Sequence, residues 1–216
     1  ATDPHQPHSI PNTFFYVHLH AGDWEVFGAA FPGVPYFMMG YTADVAWGLT
    51  TGCVDSYDVF IEKMKGDSSY YSGSWLPLKH RREEIEIKNH SNRSFTVSET
   101  GNGVLLEPLM QELGMAGTID PVYQTSLQWS LARVPTSAGA LALLPMASSA
   151  EQFGKLLFED DVCPLVNNII CVDRSSHLQR YIAATLPVRK AVTGSVPLPG
   201  WDDAYRFELS RAAELV

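Results

Sequence analysis

Four of the seven histidines, His5, His8, His18 and His20, fall within the first twenty residues. In an extended segment His18 and His20 share one strand face, and a His-x-His pair of this kind can ligate zinc. Asp3 or Asp23 could add a carboxylate, although no further His/Asp/Glu/Cys cluster at ligand spacing completes the set. The run Asp55-Ser56-Tyr57-Asp58 sets two carboxylates three residues apart with a carbonyl between them. That donor chemistry suits a hard cation such as calcium, and it equally suits a solvated turn. No GxSxG, Walker loop, GxGxxG or HExxH occurs, and no motif supports a Ser-His-Asp triad. The three cysteines, Cys53, Cys163 and Cys171, form no CxxC and read as buried free thiols, with a Cys163–Cys171 bridge as the alternative.

The elements that must position these residues are mostly strands. Thr13–His20, Trp24–Ala29, Val45–Thr51 and Ser56–Lys63 are rich in aromatic and β-branched residues and are separated by Gly/Pro punctuation such as Phe31-Pro32-Gly33-Val34-Pro35. Residues 81–99 read as a hairpin: Glu84-Ile85-Glu86-Ile87-Lys88 alternates with period two, Asn89-His90-Ser91-Asn92 is turn chemistry, and Phe95 and Val97 alternate on the return. Such strands have one wet face and belong to an antiparallel sheet. Tyr123–Ala132 is a further predicted strand. Leu165–Val172 and Leu178–Ala184 are two more, joined by a turn at Asp173-Arg174-Ser175-Ser176. Ser149–Glu159 is the best helix, with Ser149 as cap, Gln152 as the partner of a capping box, and Phe153, Leu156 and Leu157 as its apolar face. Leu209–Val216 reads as the start of a helix. The sum is a strand-rich α+β arrangement.

Composition narrows the function classes. The 216 residues carry 15 basic against 24 acidic side chains, a net charge of -9, where a nucleic-acid binder would show a basic surplus. No apolar run approaches the roughly 18–20 residues of a membrane-spanning helix, so neither nucleic acid nor membrane is an expected partner. The length suffices for a real buried core, read as a single domain over 1–216. The chain opens on Ala-Thr-Asp-Pro-His without Met, as a mature or excised segment would.

Several motifs in order are more specific than any one alone. Thr2-Asp3-Pro4-His5 is followed by Pro11-Asn12, Tyr16 and His18-Leu19. Then come Gly28, Phe31-Pro32-Gly33-Val34-Pro35, the run Gly40-Tyr41-Thr42-Ala43-Asp44-Val45-Ala46-Trp47-Gly48-Leu49-Thr50, and Asp55-x-x-Asp58-Val59-Phe60. Leu127-Gln128-Trp129, Asn168-Ile169-Ile170-Cys171-Val172-Asp173, Leu186-Pro187-Val188-Arg189 and Pro197-Leu198-Pro199-Gly200-Trp201 continue the series. The whole resembles the penicillin acylase family, the self-processing N-terminal-nucleophile amidohydrolases (EC 3.5.1 type) that include penicillin, cephalosporin, acyl-homoserine-lactone and cyclic-lipopeptide acylases. The resemblance implies an αββα four-layer sandwich rich in antiparallel sheet. It also implies hydrolysis of a linear amide by a serine that begins the β chain, its own α-amine acting as base.

Carried over residue by residue, the resemblance makes His5 the side chain that orients the nucleophile. Thr51 becomes a main-chain oxyanion-hole donor, and Asn168 the side-chain donor that completes the hole. Arg189 becomes a cation near the nucleophile's amine, and Gln6 and Met39 acyl-pocket residues. Asp55, Tyr57 (carbonyl) and Asp58 coincide with structural calcium ligands, and no cofactor is implied for catalysis. Asn167 sits beside Asn168, and a one-residue slip on a strand would reverse the face. The nucleophile of the family precedes the Asp-Pro-His motif by roughly twenty residues, because it must begin its chain, so it is expected outside this sequence. The α chain and the rest of the β chain would then be partners, the segment alone inactive, and the parent periplasmic or secreted. The alternatives are a non-catalytic binding or scaffold protein of the same fold, or a zinc hydrolase using His18 and His20.

Overall fold

The computed structural model describes residues 5–115, 119–133, 139–158, 166–190, 194–211 and 214–215. In chain order the elements are β1 (Phe15–Ala21), β2 (Trp24–Ala30), β3 (Met39–Thr42), β4 (Val45–Thr51), β5 (Tyr57–Lys63), β6 (Ser68–Tyr71), β7 (Ser74–Pro77), β8 (Lys79–Ile85) and β9 (Arg93–Glu99). They continue with β10 (Val104–Leu105), α1 (Leu106–Glu112), β11 (Tyr123–Trp129), α2 (Gly139–Leu143), α3 (Ala150–Leu157), β12 (Asn167–Asp173) and β13 (Leu178–Ala183). The last are β14 (Thr185–Val188), β15 (Leu198–Pro199), β16 (Glu208–Arg211) and β17 (Glu214–Leu215). Contacts group the chain into two compact units, one of Ala1–Asp55, Val134–Leu186 and Ser210–Val216, the other of Ser56–Arg133 and Pro187–Leu209.

The first unit is built on a seven-stranded sheet in the order β1-β2-β3-β4-β12-β13-β17. Antiparallel hairpins generate its edge: β1 turns into β2 through Gly22-Asp23, where Gly22 takes the positive φ of 62° that a two-residue turn requires. Alternation then separates the faces. Val26, Val45, Trp47, Leu49, Ile169, Cys171, Tyr181 and Ala183 are buried against Leu141, Leu144, Phe153 and Leu157 from α2, α3 and the turn between them. Burial of a side chain such as Phe153 contributes about 1.5–3 kcal/mol. Ser149 caps α3 by accepting the Gln152 N–H at 3.1 Å. The Gln152 side chain reaches back to the N–H of Ser148, one residue before the cap position that a capping box uses.

Two contacts tie α3 to the sheet. The Tyr181 hydroxyl donates to the Ala150 carbonyl at 2.6 Å, and its ring passes so close beneath the helix that a Cβ on Gly154 would lie 2.6 Å from it. The Asp173 carboxylate, at the end of β12, accepts the N–H groups of Ala150 at 3.1 Å, Ser175 at 2.9 Å and His177 at 3.1 Å. One side chain therefore closes the β12–β13 turn and caps the helix. The Ala150 N–H is the main reason its pKa lies below the ordinary aspartate value; the other two N–H groups and His177 add to this, and burial opposes it.

The second unit carries a six-stranded sheet in the order β15-β5-β11-β10-β9-β8. Its centre is polar. Glu62 is fully buried and accepts from Thr100 Oγ1 at 2.9 Å, Asn102 Nδ2 at 3.0 Å and Ser126 Oγ at 2.6 Å. Asn102 also donates to the Gly200 carbonyl at 2.8 Å. A Cβ at Gly200 would stand 2.8 Å from Glu62 Oε2, which explains glycine in the Pro-Gly-Trp motif.

Some sequence expectations are corrected. The strand over Tyr123–Ala132 ends at Trp129 and gives way to a 3-10 turn at Ser130–Arg133. The helix expected at Leu209–Val216 is absent among its described residues: they lie in β16 and β17, and β17 pairs with Arg180 and Tyr181 at the sheet edge. An available edge outweighs the helical preference of the segment. Cys53 is exposed rather than buried. Cys171 is a buried free thiol, pushed up to about 12 by burial and by Asp173. Cys163, Leu165 and Glu159 lie outside the described residues.

Two outcomes follow from these contacts. Gly154→Ala, stabilising on an open helix, should here destabilise the protein by about 1–3 kcal/mol in urea denaturation, because the added Cβ would overlap the buried Tyr181 ring. The ionised Asp173 stabilises the fold above the unfolded aspartate pKa of about 3.9, and that support is lost as pH falls through its lower folded value. Asp173→Asn should therefore flatten the acid limb of a stability-against-pH curve.

Candidate functional site

The face of the first sheet opposite α3 is open. Residues directly opposite in an antiparallel pair share a face. The registers Phe27↔Tyr41, Tyr41↔Ala46, Gly48↔Ile170, Thr50↔Asn168 and Ile170↔Arg180 therefore run one face across five strands. Phe27, Tyr41, Ile170 and Val172 stand exposed along it. A half-open cavity of about 730 Å³ lies on this face, with Ala46, Ile170 and Val172 as apolar wall and His5, Asn168 and Arg180 as polar groups.

Asn168 is the best-defined of these. Its Nδ2 donates to the Thr51 carbonyl at 3.1 Å, and its Oδ1 accepts from Arg180 Nη2 at 3.0 Å. Asn167 pairs with Thr51 and belongs to the α3-facing set, so the register decides between the two asparagines. Gly52 donates its N–H to the Val166 carbonyl at 2.8 Å. Backbone N–H groups alternate along an antiparallel strand, so the Thr51 N–H points away from β12. On that side the β3 register ends at Gly40↔Trp47. Asn168 lines the cavity, as does Thr50; Thr51 is not among the lining residues.

His5 lines the cavity, with a positive φ of 41°. Gln6 is exposed, and Met39 is half-buried against the hydrophobic core; neither is among the residues lining the cavity. Arg180 was not among the residues singled out from the sequence. It lies twelve positions from Asn168, and only the β12–β13 register brings them together.

Arg189 belongs to the second unit, where its guanidinium grips Asp58. Nε donates to Oδ2 at 3.0 Å, and Nη2 donates to Oδ1 at 3.0 Å and to the Tyr57 carbonyl at 3.4 Å. Asp58 is buried, so this is a desolvated, bidentate ion pair. The expected calcium set does not fit as it stands. The two carboxylate oxygens of Asp58 and the Tyr57 carbonyl already face a fixed cation. Among the described residues no group of three or more His, Cys, Asp or Glu side chains could hold a metal ion. His18, on β1, bonds through Nε2 to Glu25 on β2, and among the described residues its neighbours complete no ligand set for zinc.

The chain matches the family model described as penicillin amidase over residues 1–214. It is 27% identical over 219 residues to the acyl-homoserine lactone acylase QuiP of Pseudomonas aeruginosa, covering 96% of this chain and 25% of that protein. Against the penicillin acylase 2 proenzyme of Pseudomonas sp. strain SE83 it is 25% identical over 215 residues, covering 96% and 26%. In structure it matches thermostable penicillin G acylase from Alcaligenes faecalis with a TM-score of 0.71 at 21% identity, over 94% of this chain and 35% of that one. The strand-rich fold is therefore that of part of penicillin G acylase. The chain spans about a quarter of the length of the curated relatives it matches.

Removing one partner of a buried pair leaves the other charge uncompensated. Arg189→Met should cost about 3–5 kcal/mol of stability. With the guanidinium in place, EDTA should leave the melting temperature unchanged, whereas a fall in melting temperature reversed by calcium would contradict the assignment of Arg189 as the cation of this site.

Proposed function

This chain belongs to the penicillin amidase family, and from that premise we propose that it forms part of the catalytic β chain of an N-terminal-nucleophile amidohydrolase that cleaves linear amides. The observation that carries the reading is the Asn168 amide, which lines the cavity with Nδ2 held by the Thr51 carbonyl. In the proposed reaction a serine hydroxyl outside these 216 residues attacks the amide carbon. The serine's own α-amine takes the proton and later delivers it to the leaving amine. The carbonyl oxygen becomes an oxyanion, which Asn168 Nδ2 and the Thr51 N–H receive. His5 orients the nucleophile, and Ala46, Ile170 and Val172 supply an apolar wall for the acyl group. No metal or organic cofactor takes part.

The same reading extends to the whole protein. The part of this sheet face beyond the cavity, with Phe27 and Tyr41 exposed, is the surface on which the remaining β chain and the α chain pack to complete an αββα sandwich. The relatives name two substrate classes, acyl-homoserine lactones and penicillins, and an apolar wall suits the acyl part of either. Self-processing and export to the periplasm belong to this reading through the family alone, and the 216 residues by themselves would be inactive.

The test is an assay of the complete protein against N-acyl-homoserine lactones and penicillin G. Hydrolysis of either is expected, and Asn168→Ala should lower kcat by about 10²–10³-fold, the usual effect of losing one oxyanion donor. An Asn168→Ala protein with wild-type kcat would refute the assignment.

A further inference from the structure

We infer that Arg180 is the positioning residue that holds the Asn168 amide with its NH2 end toward the substrate; the inference rests on the oxyanion role proposed for Asn168. A carboxamide has a donor end and an acceptor end of nearly equal shape. Turned one way it stabilises a developing oxyanion. Turned the other way it presents a carbonyl oxygen and repels one. Something must decide between the two orientations.

Here both neighbours decide the same way. Arginine carries only donors, so the atom 3.0 Å from Arg180 Nη2 has to be the acceptor oxygen. The Thr51 carbonyl only accepts, so the atom 3.1 Å from it has to be the nitrogen. The first N–H of the amide is spent on Thr51, and the second remains for an oxyanion. A charge-assisted bond at Oδ1 also draws electron density from the amide and strengthens its N–H as a donor.

The backbone fixes the reach of this clamp. Arg180 stands opposite Ile170 and Asn168 opposite Ile182, so the guanidinium crosses diagonally over one face to a neighbouring strand. The residue after it, Tyr181, is buried and bonded to Ala150, which anchors the β13 backbone where Arg180 leaves it. Arg189, the cation that the family resemblance points to, donates to Asp58.

The experiment compares Arg180→Met and Arg180→Lys in the complete, processed protein, using an uncharged N-acyl anilide and a substrate bearing a carboxylate. Arg180→Met should lower kcat by roughly tenfold to a hundredfold on both substrates, with KM within about twofold. Arg180→Lys keeps a donor to Oδ1 and should recover most of kcat. A crystal structure of each variant supplies a readout that does not depend on turnover: the Asn168 side chain should keep its orientation with Lys and rotate with Met. Unchanged kcat in Arg180→Met, or an unchanged Asn168 orientation, would overturn the inference. So would a rise in KM confined to the carboxylate substrate, which would make Arg180 a substrate anchor. A wild-type protein that cleaves no amide would defeat the proposed function, and the crystallographic arm would still decide whether Arg180 holds the amide.

Discussion

The pairing of β4 with β12 is the constraint on which the site depends. Its register sets Thr50 opposite Asn168 and Thr51 opposite Asn167. A shift by one residue would send Asn168 toward α3 and bring Asn167 to the cavity. The shift is prevented from the other face of the sheet, where Trp47, Leu49, Ile169 and Cys171 fill the core beneath α3. The hydrophobic packing of one face thereby sets the polar chemistry of the other. Asp173 reinforces the arrangement by closing the turn after β12 and capping α3 with a single carboxylate.

Two arginines divide the cationic work. Arg189 is bound bidentately to a buried aspartate and neutralises a charge that would otherwise be costly to bury. Arg180 is exposed on the open face and spends its hydrogen bond on a neutral amide. The first is a matter of stability and the second of orientation. Substituting one should therefore leave a different signature from substituting the other.

Much of the architecture was legible in the residues. β4 coincides with the segment read from Val45 to Thr51, and β2, β12 and β13 lie close to their expected bounds, because period-two alternation and turn residues report local geometry. Ser149 at the start of α3 was legible for the same reason. What failed depended on distant partners. The tail around Glu214 became a strand because Arg180 and Tyr181 offered an edge, and Cys53 stands in an exposed, positive-φ position that composition does not reveal. At the site, Asn168 was readable from its motif. Arg180 was not, since nothing in a Gln-Arg-Tyr sequence announces a partner on the neighbouring strand. The partnership of Arg189 with Asp58 was not readable, since the two lie 131 residues apart in sequence.

In the proposed reaction Asn168 Nδ2 receives the oxyanion. The most direct measurement is a crystal structure of the complete protein carrying a phosphonate or boronate adduct on its nucleophile. The anionic oxygen should lie about 2.7–3.1 Å from Asn168 Nδ2 and from the Thr51 nitrogen, with Arg180 still bonded to Asn168 Oδ1. An adduct oxygen bound elsewhere, with Asn168 facing only the Thr51 carbonyl, would contradict it.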